Sequence, residues 1–337
     1  MKLLLQAFKG HAPRIPVWFM RQAGRSLPAY RKVRARHSLD AMFTNADIIA
    51  EVTCQPVEIL KVDAAILFAD ILTLPKETGF LVRFDKNRGP VIGNPLRSLK
   101  DLERISDFQP PAYQQKAIPM IRERLPVDTA LIGFAGGPFT VLTYLIEGGS
   151  STGFQRTLRL MLSQPRDFDA LMERMTALTI AYLKHQKDAG IEVFQIFDSW
   201  AGILRPADYE RHVLPFVQQI FEEVPLPSIY YLKNCGHLMP AMARSGAQFL
   251  SVDETVDIGT DPVLTCCGKG VQGNLYNQLL FADDDVIRDE IRKLLNKAAG
   301  YPCYIFNLSH GILPDTDTEK VKLVIEQVRL RQTPVII

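Results

Sequence analysis

The sequence predicts a single-domain (β/α)8 barrel of the TIM type over residues 1–337, and three features carry that expectation. Eight short apolar runs follow one another along the chain, longer amphipathic stretches separate them, and no Gly-x-Gly-x-x-Gly follows the first run to mark a doubly wound sheet. Parallel strands covered on both faces read as continuous apolar runs, whereas half-exposed antiparallel strands alternate, and these predominantly apolar runs fit the former.

The first run, residues 17–20, is Val-Trp-Phe-Met and ends on Arg21. The others are residues 64–68, 130–134, 193–197, 228–232, 248–252, 270–274 and 304–308. Between them, residues 167–188 place Phe168, Leu171, Met172, Met175 and Leu178 at helical spacing and stop at Gly190, a C-terminal cap. Residues 206–223 open on a proline suited to a first helical turn and set Tyr209, Val213, Phe216 and Ile220 on one face. Residues 284–298 and 318–331 complete the alternation. Residues 133–137, Gly-Phe-Ala-Gly-Gly, lack the lysine of a phosphate loop and read as a strand-to-loop turn. Residues 80–84 and 90–92 read as a small hairpin at the mouth, with Asn87-Arg88-Gly89 as its turn. No internal repeat or low-complexity linker divides the chain.

The chain has 337 residues, 47% hydrophobic and 23% charged, with a formal net charge of +2. That balance argues against a nucleic-acid binder. From Lys9 to Arg36 the chain is basic with no acidic residue before Asp40, and Arg31, Lys32, Arg34 and Arg36 read as a solvated face. Five cysteines without a repeated spacing suit reduced thiols and a cytoplasmic location. The apolar start Met1-Lys2-Leu3-Leu4-Leu5 gives way to Gln6 and Lys9, short of a signal-peptide core, and no run approaches the ~18 apolar residues of a membrane span.

In a barrel of this kind chemistry gathers where strands end. The polar residues closing the runs are Arg21 and Arg25, Asp70, Asp198 and Ser199, Asn234, Asp253, Asn274 and His310. Arginine stays charged and offers a rigid fork matched to carboxylate, so Arg21 and Arg25 after an apolar strand suggest a site for a polyanionic small molecule. Asp70 stands alone among apolar neighbours. A buried carboxylate must be paired, protonated or waiting for a donor-rich ligand.

Residues 16–25, Pro-Val-Trp-Phe-Met-Arg-Gln-Ala-Gly-Arg, resemble the first signature of the uroporphyrinogen decarboxylases. The resemblance extends to residues 133–144 with their Pro-Phe-Thr and later Tyr144, to Phe-Asp-Ser-Trp-Ala-Gly at 197–202, and to Asn-Leu-Ser-His-Gly-Ile at 307–312. It implies the same barrel and the removal of the four acetate carboxyls of uroporphyrinogen III to give coproporphyrinogen III in haem biosynthesis, without a cofactor or metal, by a homodimer. It also implies that Arg21, Gln22, Ala23, Gly24, Arg25, Asp70, Tyr144, Ser199 and His310 line the substrate cleft. Asp70 is the candidate to stabilise positive charge on a pyrrole, Arg21 and Arg25 to grip carboxylates, and Arg21, Arg25 or His310 to deliver a proton. By its reference pKa near ~6.5, His310 is the easier donor. The sequence departs from the family pattern at Glu254, Tyr276, Asn277 and Ser309, which bears on loop contacts more than on the reacting groups.

Two other readings compete. One is a zinc-dependent corrinoid methyltransferase of the same fold, which carries His-x-Cys after a middle strand and a later Cys. Here Lys233-Asn234-Cys235 has lysine in the histidine's place, Cys235-Gly236-His237 reverses the order, and Cys303 is the third candidate ligand. The other is a noncatalytic binder of anionic tetrapyrroles or nucleic acid, suggested by the basic N-terminal stretch. No membrane or nucleic-acid partner is expected.

Overall fold

The computed structural model describes residues 1–85 and 88–330. Seven strands form one parallel sheet: β1 (Ala64–Ile66), β4 (Ala130–Gly136), β5 (Val193–Phe197), β6 (Ser228–Tyr231), β7 (Phe249–Ser251), β8 (Gly270–Gln272) and β9 (Tyr304–Ile305). They hydrogen-bond in chain order, each to its successor. Every residue of β1, β4, β6, β7, β8 and β9 is buried, which is why their sequences are mostly apolar without alternation, the polar Ser228, Ser251 and Gln272 being buried with the rest. The sheet curls: Gln272 of β8 donates to Gln195 of β5 (3.0 Å) and Ser251 of β7 (2.9 Å) and accepts from the Trp18 indole (3.0 Å) across the interior.

The segment expected as the first strand departs from regular pairing. Val17 bridges Phe306 in parallel, and its carbonyl accepts the Asp63 N–H at 2.8 Å, so the segment lies between β9 and β1. The Trp18 N–H donates to the Phe306 carbonyl at 3.4 Å, and the other three donors turn to side chains: Val17 N–H to the Asp63 carboxylate (2.9 Å), Phe19 N–H to Gln22 Oε1 (3.0 Å) and Met20 N–H to Asn307 Oδ1 (3.2 Å). With most of its donors taken by side chains the segment makes a single parallel bridge rather than a ladder, so residues 17–20 do not form a regular strand.

The hairpin is present as β2 (Val82–Asp85) and β3 (Gly89–Ile92), antiparallel, with Val91 bridged to Gly149. Asn87 of its expected turn lies outside the described residues. The helix expected over 167–188 spans Pro165–Ala189 and ends on Gly190 at φ +123°. The helix expected over 206–223 is two, Pro206–His212 and Leu214–Glu223. Pro215 explains the break, because it has no N–H for the residue 211 carbonyl and its ring crowds that carbonyl. The helix Asp284–Ala298 forms as expected, and the last described helix is Thr318–Leu330. Residues 133–137 are not the expected turn: β4 runs through Gly136, and Gly137 precedes the helix Pro138–Glu147.

Candidate active site

A cavity of about 370 Å³ opens at the carboxyl ends of the strands. Arg21, Ala23, Asp70, Tyr144, Ser199 and His310 all line it, brought from five separate stretches of chain.

Arg21 occupies the left-handed region at φ +60°, a conformation that disfavours side chains other than those of glycine and asparagine. Gln22 holds the turn. Its fully buried amide donates to the Ala64 carbonyl (3.0 Å) while its oxygen takes the Phe19 N–H, tying the arginine turn to β1. The Arg21 stem packs against Gly311, where a Cβ would fall 2.4 Å from Arg21 Cδ. Among the described residues Arg21 makes no salt bridge.

Asp70 follows β1 by four residues. One carboxylate oxygen, Oδ1, accepts the Leu72 N–H at 2.8 Å, and the Asp70 N–H is held by Thr73 Oγ1 at 3.2 Å. Among the described residues Oδ2 accepts no hydrogen bond. Burial pushes the carboxyl above its usual range, against the opposing Leu72 N–H and the Arg21 charge. Phe68, Phe134, Phe197 and Phe84 supply the surrounding apolar wall, with Phe134 and Phe197 edge to face at 5.4 Å.

Tyr144 projects from the helix Pro138–Glu147, its ring 6.1 Å from that of Trp200. Burial raises its phenol, the Asp70 carboxylate adds to that, and Arg21 opposes it, so the three share one field. His310, after β9, sets Nδ1 3.0 Å from the Tyr231 hydroxyl. Burial first, then the charges of Arg21 and Lys233, push the imidazole down to about 4. His310 is thus neutral near pH 7 in the free protein, which removes the advantage its reference pKa gave it as a proton donor.

Three expected residues stand elsewhere. The Gln22 side chain is structural, as above, and Gly24 does not line the cavity. Arg25 is exposed on a separate hollow with Arg31, Asp315, Asp317 and Glu319. The strand-end residues Asn234, Asp253 and Asn274 hold one another instead: Asp253 accepts the Asn234 and Thr255 N–H groups, and the Asn274 amide donates to the Asp253 carbonyl at 2.8 Å. Sequence reasoning missed the phenylalanine wall and Gly311. The signal was there only as position, since Phe134 and Phe197 sit at or near strand ends.

The donor set of the zinc reading does not assemble. Cys235 follows β6 and is buried, its thiol donating to Asp253 Oδ1 at 3.5 Å, whereas Cys303 precedes β9 at the opposite end of the sheet. Burial raises the Cys235 thiol, which keeps it protonated. Among the described residues no three His, Cys, Asp or Glu side chains cluster as metal ligands, and no helix is long and apolar enough to cross a membrane.

The family model described as uroporphyrinogen decarboxylase (URO-D) matches residues 1–330. The chain is 40% identical to the uroporphyrinogen decarboxylase of Trichlorobacter lovleyi over 95% of each protein. It is 41% identical to those of Thermus thermophilus, over 97% of each, and Corynebacterium diphtheriae, over 96% of each. Among solved structures, a methyltransferase from Methanosarcina mazei superposes with a TM-score of 0.82 at 21% identity over 97% of both chains. A B12-independent methionine synthase from Shewanella gives 0.55 at 11% identity, over 85% of this chain and 87% of that one. At such identities these two share the fold alone.

Proposed function

The chain belongs to the uroporphyrinogen decarboxylase family, and from that membership we propose how its cavity works on the substrate. The protein is a carboxy-lyase of haem biosynthesis. In our reading it removes the four acetate carboxyls of uroporphyrinogen III and leaves the propionates, giving coproporphyrinogen III. Segment 17–20 serves as the eighth stave closing a single-domain (β/α)8 barrel, and the enzyme works as a cytoplasmic homodimer.

Each decarboxylation begins with a proton added to a pyrrole carbon beside the acetate substituent. The ring becomes iminium-like and accepts the electron pair of the breaking C–C bond as CO2 leaves. The methylidene that remains takes a proton, the ring carbon gives one up, and the net result is one proton consumed and one methyl formed. The substrate is its own electron sink, so no cofactor is needed. The protein's task is to stabilise the positive ring. Asp70 does this through the oxygen that accepts no protein hydrogen bond, in a wall of phenylalanines that keeps the local dielectric low. A unit pair at ~4 Å and an effective dielectric of ~20 interacts by about 4 kcal/mol.

Arg21 grips a carboxylate that is not reacting, because a cation on the departing carboxylate would favour the ground state. Arg25, from its neighbouring hollow, meets carboxylates that project past the mouth. Tyr144, Ser199 and neutral His310 hydrogen-bond the remaining ones, and the backbone of residues 22–24 shapes the floor. Asp70, ionisable and half-committed beside Arg21 in an apolar cavity, is the observation that carries this reading.

The test is anaerobic incubation with freshly reduced uroporphyrinogen in chelator-treated buffer, with lost carboxyls counted by mass spectrometry. Four are expected to go. An unchanged mass would leave the protein a binder, and stoichiometric zinc in the purified protein, by metal analysis, would favour the methyltransferase reading.

A further inference from the structure

Asp198 is the one charged residue of the 197–202 motif, yet it does not face the cavity. It is fully buried, immediately before Ser199, which does. Its carboxylate accepts the Thr140 N–H through Oδ1 at 2.9 Å and the Tyr230 hydroxyl through Oδ2 at 3.2 Å. Tyr230 in turn accepts the Tyr209 hydroxyl at 3.0 Å. Thr140 is the third residue of the helix Pro138–Glu147, one turn before Tyr144 on the same face. Two further bonds lace the same segments: Gly137 N–H to the Phe197 carbonyl (2.8 Å) and Trp200 N–H to Thr140 Oγ1 (3.0 Å). The approach is so close that a Cβ at Gly137 would lie 2.3 Å from Asp198 Cγ.

The groups facing this carboxylate are all uncharged. They are Thr140 at the helix end, Tyr230 on β6 and, behind it, Tyr209, with the Cys235 thiol beyond that. Among the described residues it makes no salt bridge. Burial accordingly raises its pKa to about 6, opposed by the Thr140 and Tyr230 hydrogen bonds. A carboxylate there is a poor choice for stability alone, because an ionised group without a cation is costly to bury. What it does provide is a charge-assisted acceptor at the positive end of the helix that carries Tyr144.

We propose that Asp198 is a positioning residue: by clamping the N-terminus of the Tyr144 helix against the Ser199 loop, it fixes the spacing of the two substrate-facing hydroxyls. The inference rests on the reading of Tyr144 and Ser199 as substrate contacts. It follows that the ionised form is the working form.

Asp198→Asn, nearly isosteric, is the test, measured by kcat/KM for uroporphyrinogen against pH beside a thermal-melt check of folding. At pH 7.5 the loss should be about tenfold, and the component of the acid limb centred near 6 should vanish. Tyr230→Phe, which removes one hydrogen bond to the ionised form, should move that limb to higher pH. In a Tyr144→Phe/Ser199→Ala background the Asn change should reduce kcat/KM by less than about threefold, because its effect travels through those residues. Losses that multiply in full, or an acid limb unchanged in both variants, would overturn the proposal. If Tyr144→Phe/Ser199→Ala itself keeps wild-type kinetics, the reading of the cavity fails and the proposal goes with it.

Discussion

The His310 imidazole and the Tyr231 phenol lie parallel to within 3°, with centroids 5.9 Å apart and Nδ1 3.0 Å from the hydroxyl oxygen. That geometry holds the ring edge toward the cavity while burial and the nearby cations Arg21 and Lys233 keep it uncharged, with a pKa of about 4. At pH 7 the imidazolium would be about one part in a thousand of the free protein. Imidazole NMR should find His310 titrating near 4, and Arg21→Leu should move it upward. The unfolded chain takes its proton first, near the ordinary value, so this residue contributes stability above about pH 6.5 that is lost as pH falls toward 4. A titration near the ordinary histidine value would restore His310 as a stored proton.

Asp70→Asn keeps shape and hydrogen-bonding capacity but removes the negative charge. If that charge acts mainly on the cationic ring, kcat should fall by about a thousandfold, the rate equivalent of about 4 kcal/mol. Coproporphyrinogen, a neutral ring system carrying propionates, should still bind within a few-fold of wild type. Parallel kinetic and equilibrium-binding measurements separate the two effects, and near-normal turnover would exclude Asp70 from the chemistry.

Gly311 leaves room for the Arg21 stem and is not in the left-handed region, so alanine there changes space rather than backbone. Its methyl would lie 2.4 Å from Cδ and 2.6 Å from Cγ of Arg21. Gly311→Ala should therefore swing the guanidinium away and lower kcat/KM by about 10- to 100-fold. Arg21→Lys should do likewise by losing the planar fork despite keeping the charge. Once Arg21 is alanine, Gly311→Ala should have little further effect. Additive losses in that double-mutant cycle would mean that Gly311 serves something else.

Much of this architecture was legible in the chain. Seven of the eight expected strands are present, because burial on both faces leaves a predominantly apolar run, and Asp70, Ser199 and His310 stand out as polar groups just past such runs. The remaining stretch, 17–20, lies extended between β9 and β1 with one parallel bridge, Val17 to Phe306, rather than a ladder, because three of its N–H groups go to the side chains of Asp63, Gln22 and Asn307, and an apolar run does not report such partners. Arg21 and Arg25 read as a pair by spacing, yet the left-handed turn at Arg21 sends the two toward different hollows. Gln22 read as a ligand contact because it sits inside the signature, whereas its amide replaces missing strand bonds. Phe134 and Phe197 could not be told from core residues, since the same side chains fill a core and wall a cavity.

The raised pKa of Asp198 also makes a claim about stability. The unfolded chain gives up this proton near the ordinary carboxyl value while the folded protein holds it to about 6, so folding loses stability as pH rises between those values. A difference of about two units corresponds to something on the order of 3 kcal/mol, present in full above pH 6 and absent below the unfolded value. Asp198→Asn cannot ionise and should escape the loss. Urea unfolding should show the variant gaining on the wild type from pH 4 to pH 7.5, even as its turnover falls. An identical pH dependence for both proteins would mean that the buried carboxylate is already stabilised as an anion. A gain in stability joined to a loss of rate would identify a charge retained for what it positions.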